Sequence, residues 1–112
     1  MPAQFVIYQD KAGAFRFKLF SATGKQLVES EAYKTKSSAE NGIESIRKNS
    51  ANPKAFVVKA DTAGHGGYFM SLKAGNGQVI CHSRGHKREQ LAKQAASQVS
   101  ACAADATVLD RC

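Results

Sequence analysis

The stretch "KAFVVKAD" (residues 54–61) decides the fold, because it holds two places in the chain at once. It follows a predicted helix that ends at Asn52-Pro53. It also begins a segment that repeats the pattern of the first half of the chain. A related stretch, "ATVLD" (residues 106–110), follows the second predicted helix. The sequence therefore predicts that connecting strands cross between two repeated units.

The repeat itself is weak in identity but continuous in pattern over about 50 positions. Phe5–Ser30 aligns with Phe56–Ser83 when two extra residues are allowed in the second copy. The helical stretches then follow, with Ala39 opposite Ala92. We therefore predict one domain, residues 1–112, built of two repeats at about 1–54 and 55–112.

Each unit has the pattern of three strands and a helix. The strands of the first unit are predicted at Phe5–Gln9, Phe15–Leu19 and Gln26–Ala32. Ser37 and Glu40 have the spacing of a capping box, which predicts that the helix begins there. Gly42 lies in the apolar stripe of that helix, where the missing Cβ lets the helix approach the sheet closely. This contact must offset the roughly 1 kcal/mol that glycine costs in a helix interior.

A single unit of this kind would be incomplete, because it leaves a wide sheet edge and a half-covered sheet face. Two units placed side by side by a pseudo-twofold axis remove both problems. We therefore predict an α+β fold, a tandem repeat of β-β-β-α(-β) units. The units form one continuous antiparallel sheet with both helices packed on one face.

The composition is that of a soluble domain. Of the 112 residues, 43% are hydrophobic and 22% charged. No apolar run approaches the roughly 20 residues of a membrane helix. Residues 1–4 resemble no leader peptide, so we expect a cytoplasmic protein with no membrane association. Cys81, Cys102 and Cys112 have no CxxC spacing, so we expect free thiols and no metal site.

The first unit resembles the repeat of the YegP-like family, small bacterial proteins of no established function. The matching pieces are Phe15-Arg16-Phe17-Lys18-Leu19, Gly24, Ser30-Glu31, Tyr33, Lys36-Ser37, Ala39, Asn41-Gly42-Ile43-Glu44-Ser45-Ile46 and Lys48-Asn49. The second unit, with Gln94-Ala95 in place of Asn41-Gly42, is similar in outline. The resemblance implies a β3-αβ unit repeated twice, with one shared sheet and exchanged final strands. It also implies a monomer that mimics the dimer of single-repeat relatives, and it supplies no catalytic residues.

The net charge of +7 is spread over both halves and permits an anionic partner. If the helices cover one side of the sheet, Arg16, Lys18 and Phe20 point to the other side, beside Tyr8. A basic, partly aromatic sheet surface is a platform for single-stranded nucleic acid or another polyanion. Lys73 holds a counterpart position in the second unit. The alternative is that these charges only keep that side of the sheet in water.

No pattern in the chain indicates an enzyme. The stretch "AGAFRFKLF" (residues 12–20) is superficially similar to an RNA-recognition strand, but Ala12 replaces the basic residue expected before Gly13. The Ser, His and Asp residues have no nucleophile context. We therefore predict a non-catalytic binding module for an anionic partner or nucleic acid, with no catalytic, cofactor-binding or metal residues. The alternative is a structural or protein-interaction module with no nucleic-acid role.

Overall fold

The computed structural model describes residues 3–60, 67–75, 77–83 and 85–111. The strands in these ranges are β1 (Gln4–Gln9), β2 (Phe15–Phe20), β3 (Gln26–Ser30), β4 (Phe56–Ala60), β5 (Tyr68–Lys73), β6 (Val79–His82) and β7 (Thr107–Asp110). The helices are α1 (Lys36–Asn49) and α2 (Glu89–Cys102). A one-turn 3₁₀ helix follows each of them, at Pro53–Ala55 and Ala103–Asp105.

All seven described strands join one sheet in the order β4-β5-β6-β3-β2-β1-β7. The two repeats meet where β3 pairs with β6, and every pair except the last is antiparallel. Strand β7 runs parallel to β1, so our expectation of a wholly antiparallel sheet is wrong at this edge. The reason is where the chain arrives after α2: Thr107 N donates to Ala3 O at 3.0 Å, beside the start of β1. From there the strand can extend only in the direction of β1, and Arg111 N donates to Ile7 O at 2.9 Å.

Some hydrogen bonds outside the regular ladders recur at matching positions in the two repeats. Phe17 N donates to Ser30 Oγ at 2.9 Å, and Met70 N donates to Ser83 Oγ at 2.9 Å. A reciprocal backbone pair also recurs, between Phe15 and Tyr33 and between Tyr68 and His86. The two repeats thus share local construction as well as sequence pattern.

The core lies on one side of the sheet, which we call the Phe17 face. Residues paired across neighbouring strands share a face, and the register places the following buried side chains together: Phe5, Phe17, Leu19, Val28, Cys81, Leu72 and Met70. They form one cluster with buried residues of both helices, including Ala39, Ile43, Ile46, Ala92 and Val99. The buried residues of the predicted helical stripes thus belong to the same core cluster as those of the strands.

Gly42 confirms the close approach predicted for α1. A Cβ at this position would lie 2.6 Å from Tyr33 Oη and 3.0 Å from Phe17 Cε2. The rings of Phe17 and Tyr33 stack with their centroids 6.2 Å apart. The helix backbone thus rests on an aromatic pair, which explains a glycine inside the buried stripe.

The cap of α1 is not the predicted capping box. Thr35 has an extended backbone, and its Oγ1 accepts from Ser38 N at 3.1 Å. The helix begins at Lys36, so Ser37 already lies inside its first turn. A side chain can cap only from the residue that precedes the first helical position, which is why Thr35 takes the role.

Cys81 is buried and Cys102 half-buried, both as free thiols, and Cys112 lies outside the described residues. In the described ranges no helix is both long and apolar enough to cross a lipid bilayer.

Candidate functional site

The predicted site lies on the side of the sheet opposite the Phe17 face, since successive side chains of a strand alternate. Arg16, Lys18 and Phe20 share this side of β2, and the register places Tyr8 and Val6 of β1 beside them. All five residues are half-buried. We call this surface the Lys18 face.

Arg16 already has an acidic partner on this face. Its Nε lies 2.9 Å from Asp10 Oδ2. The other carboxylate oxygen of Asp10 accepts from the backbone N–H groups of Ala12 and Ala14, both at 2.9 Å. The hydrogen bond from Arg16, followed by that from Ala14, lowers the pKa of Asp10. Asp10 therefore stays ionised and neutralises much of the charge that Arg16 could offer to a ligand.

Lys18 shares an acid, Glu29, with Tyr8. Tyr8 Oη donates to Glu29 Oε2 at 2.7 Å, and Lys18 Nζ lies 3.7 Å from the same oxygen. The ammonium group also lies 5.2 Å from the centre of the Tyr8 ring. Burial, and then the hydrogen bond to Glu29, raises the pKa of Tyr8 to about 12. Tyr8 is therefore a neutral hydrogen-bond donor at ordinary pH.

A groove of about 590 Å³ opens on the Lys18 face where β1 and β2 meet β7. Val6, Phe20 and Leu109 line it with apolar surface, and Lys18 and Arg111 add positive charge. Its size falls within the roughly 300–1,000 Å³ usual for ligand sites. The arrangement can hold a flat or apolar group against the sheet and an anionic group beside the two cations.

The structure brings together three of the four predicted residues. Arg16, Lys18 and Phe20 lie along β2, whereas Lys73 lies on β5 with β6 and β3 between them. Strands are spaced by about 4.8 Å, so roughly 14 Å of sheet separates Lys73 from β2. Lys73 cannot line the same groove.

Sequence reasoning missed the contributions of β7 to the groove, Leu109 and Arg111. They reach it because β7 is parallel to β1, with Leu109 opposite Val6. The signal available was the prediction that a final strand crosses between units, which did not specify its direction. The role of Glu29 opposite Lys18 follows from the register of the hairpin between β2 and β3.

Comparison with known proteins finds the same family twice in the chain, once in each predicted repeat. Residues 10–56 and 63–110 each match the family described as Domain of unknown function (DUF1508). A UPF0339 protein encoded in the ptx operon 5′ region of Stutzerimonas stutzeri is 38% identical over 110 residues, which cover 98% of this chain and 97% of the relative. A UPF0339 protein of Agrobacterium fabrum is 52% identical over 60 residues, which are 54% of this chain and 97% of that relative. That relative is therefore about one repeat long.

The fold also matches a solved structure. The solution NMR structure of yegP from Escherichia coli, a protein of unknown function, superposes with a TM-score of 0.87 at 32% sequence identity. The match covers 99% of this chain and 94% of the other. Sequence and fold agree that the chain belongs to the DUF1508 family, the group of UPF0339 proteins that includes YegP.

Proposed function

We propose that a pseudo-twofold axis between β3 and β6 relates the two repeats and that both helices pack on the Phe17 face. The recurring hydrogen bonds of the two repeats support the axis. The approach of Gly42 to Phe17 supports this position for α1. For α2 the support is a groove that the helix shares with Phe56 and Val58, which continue the Phe17 face on β4. Under this arrangement the Lys18 face is left uncovered.

The function that follows is binding of an anionic partner on the Lys18 face, without catalysis. The observation that carries the proposal is the groove in which the apolar surface of Val6, Phe20 and Leu109 lies beside Lys18 and Arg111. Single-stranded nucleic acid suits such a groove, because its bases stack on aromatic surfaces at roughly 1–3 kcal/mol per base. Its phosphates supply the charge that the two cations attract.

A binding role is favoured over an enzymatic one by the state of the polar groups on this face. Asp10 is held by Arg16, and Glu29 accepts from Tyr8. With its pKa at about 12, Tyr8 keeps its proton and is a poor general base at neutral pH. We accordingly assign no catalytic residue and propose that the protein acts in the cytoplasm as a monomer.

The test is a titration of labelled single- and double-stranded oligonucleotides, followed by fluorescence anisotropy. Two phosphate contacts give a log–log salt slope of about −1.4, so affinity for single strands should fall roughly sevenfold between about 50 and about 200 mM salt. Lys18→Ala and Arg111→Ala should each weaken binding, whereas Lys48→Ala, which removes an exposed charge from α1, should not. Absence of binding at the lower salt concentration would end the proposal.

The competing proposal is a structural or protein-interaction module with no nucleic-acid role. Its supporting observation is that Asp10 and Glu29 already neutralise much of the charge of Arg16 and Lys18. Affinity capture from a lysate, with and without nuclease, separates the two proposals. Partners that survive nuclease treatment favour protein interaction, and partners lost on treatment favour nucleic acid.

A further inference from the structure

Two strands that hold equivalent places in the repeats differ in what lies beside them. Strand β1 lies between β2 and β7, whereas β4, within the described ranges, pairs with β5 alone. Phe5 and Phe56 occupy matching positions, opposite Leu19 and Leu72 respectively. Phe5 is completely buried, but Phe56 is only half-buried. In the part of the chain that the structure describes, no strand covers the edge of β4 as β7 covers that of β1.

A groove of about 620 Å³ lies beside this edge, between β4 and α2. Its lining includes Phe56, Val58 and Ala96. On the other side of the molecule β7 lies at the corresponding edge, with Val108 opposite Phe5. The groove beside β4 therefore lies where a strand parallel to β4 would correspond to β7 beside β1.

The missing strand follows from the double use of residues 54–60. In the second repeat α2 is followed by β7, and in the first repeat α1 is followed by β4. The segments that lead into β7 and β4 therefore hold matching positions in the two repeats. Because that segment also starts the second unit, the first unit has no separate final strand to lay beside β4. Two units together supply one covering strand for two outer strands.

The helix beside each outer strand also differs in charge. Lys36 of α1 forms an ion pair with Asp110 of β7. The first position of α2 is Glu89, which lines the groove and pairs with Lys93 at 3.2 Å. The residue at the first helical position therefore changes from a cation, Lys36 in α1, to an anion, Glu89 in α2, although Lys93 also lines the groove beside β4.

The residue that precedes β7 is held by a side chain of α1, and α2 has no such side chain at the matching position. Arg47 Nη2 donates to Ala106 O at 2.6 Å, immediately before β7. At the same helical position in α2 stands Ser100, which lines the groove. A strand bound at the β4 edge would thus lack the hydrogen bond that Arg47 gives to Ala106, which we call the Arg47 clamp. Such a strand could dissociate and be replaced by another.

We propose that the β4 edge and its groove bind an extended segment of another protein, which adds to the sheet as a strand parallel to β4. Like β7, the segment carries an aliphatic residue opposite Phe56 and, two positions later, a charged residue opposite Val58. That residue is Lys or Arg, because it faces Glu89. A second copy of this chain is disfavoured as the donor, because its β7 presents Asp110 there and already covers its own β1. The proposal does not depend on the function of the Lys18 face.

The experiment uses the full chain and two labelled peptides of the β7 type, Ala-Asp-Ala-Thr-Val-Leu-Asp-Arg and the same sequence with Lys in place of its second Asp. By fluorescence anisotropy the Lys peptide should bind about two- to tenfold more tightly than the Asp peptide, since it exchanges a repulsive for an attractive contact with the exposed Glu89. Glu89→Lys should reverse the preference. Ser100→Arg, which restores the clamp, should strengthen binding of the Lys peptide severalfold.

Two further variants keep the result specific to the edge. Ala96→Leu fills the groove at a half-buried helix position and should abolish binding while leaving the fold intact. Val57→Ala, on the opposite side of the same strand, should leave affinity unchanged. Amide shifts on peptide addition should be confined to β4 and α2.

The proposal is overturned by any of three results. The peptides could fail to bind at millimolar concentration. Their relative affinity could be unaffected by Glu89→Lys, so that no charge is read at that position. Finally, the protein could elute as a dimer whose contact buries Phe56, in which case a second copy occupies the edge.

Discussion

The two halves of the molecule have the same order of strands and helix but differ in helix capping, in burial of the outer strand and in pairing at the sheet edge. The half with β1 and α1 has a capped helix, a fully buried Phe5 and a covering strand held by Arg47. Among the residues that the structure describes, the half with β4 and α2 has none of these: Arg88 provides no side-chain cap, Phe56 is half-buried and β4 pairs with β5 alone. The comparison indicates that the two repeats contribute unequally to the stability of the fold, because the outer strand of the first is more deeply buried than that of the second.

The largest expected difference concerns the paired phenylalanines. Phe5→Ala should destabilise the protein by about 3–5 kcal/mol, the range for a fully buried phenylalanine. Phe56→Ala should cost about half as much, because part of its ring already faces solvent. Urea unfolding followed by circular dichroism measures both. Equal losses would show that β4 is as well covered as β1 and would undo the comparison.

A smaller effect is expected for Arg47, which holds the residue before β7. Arg47 donates to Ala106 O, and its guanidinium lies 5.7 Å from the centre of the Phe5 ring. Arg47→Met keeps the aliphatic packing but removes the hydrogen bond, so we expect a loss of about 1.5–3 kcal/mol. Ser100→Ala, the matched change in α2, should cost almost nothing. Unfolding by urea again provides the values, and a neutral Arg47→Met would mean that β7 needs no clamp.

The helix caps should respond in opposite directions. Thr35→Ala removes the oxygen that accepts from Ser38 N and should cost about 1 kcal/mol. Arg88→Thr supplies a cap where there is none and removes a positive charge from the helix N-terminus, so it should stabilise by roughly 0.5–1 kcal/mol. Thermal unfolding detects both shifts. A loss of stability in Arg88→Thr would indicate that Arg88 makes a contact more valuable than a cap.

The last expected effect appears only at alkaline pH and is absent at neutral pH. The pKa of Tyr8 is raised to about 12 in the folded protein, mainly by burial. The unfolded value is near 10, so the stabilisation is complete below pH 10 and is lost as the pH rises toward 12. Lys59 occupies the matching place in the second repeat, opposite Phe69 as Tyr8 is opposite Arg16, so that strand has no tyrosine there.

The measurement is urea unfolding of the wild type and of Tyr8→Phe between about pH 9 and pH 12. The difference between the two should change across this window, with the wild type losing more stability than the variant. Parallel curves would mean that Tyr8 titrates alike in the folded and unfolded chain. Glu29→Gln should reduce the wild-type loss, since the carboxylate helps hold the proton on Tyr8.

The sequence was sufficient for those features that depend on local pattern. The stripe around Gly42 predicted both a helix and its close approach, because a glycine at a buried helical position is favoured where a neighbour leaves no room for a Cβ. The alternation in β2 separated Phe17 and Leu19 from Arg16 and Lys18 correctly. The apolar run that follows α1 predicted a strand there, and β4 occupies Phe56–Ala60.

Features set by distant parts of the chain could not be obtained in this way. The direction of β7 depends on where α2 delivers the chain, and no local pattern encodes that point. The groove on the Lys18 face was incomplete in sequence reasoning for the same reason, since Leu109 and Arg111 arrive with β7. The cap was misassigned because Thr35 and Ser37 both have suitable side chains, and only backbone geometry chooses between them.

A buried cysteine lies where the two repeats meet in the sheet and can report opening of the core. Cys81 of β6 stands opposite Ser30 of β3, and burial raises the pKa of its thiol, so the reactive thiolate is suppressed. An alkylating reagent can therefore modify Cys81 only after the core around it opens, whereas Cys102 is only half-buried and should react sooner. The time course of labelling would show whether the core around Cys81 opens before the whole protein unfolds.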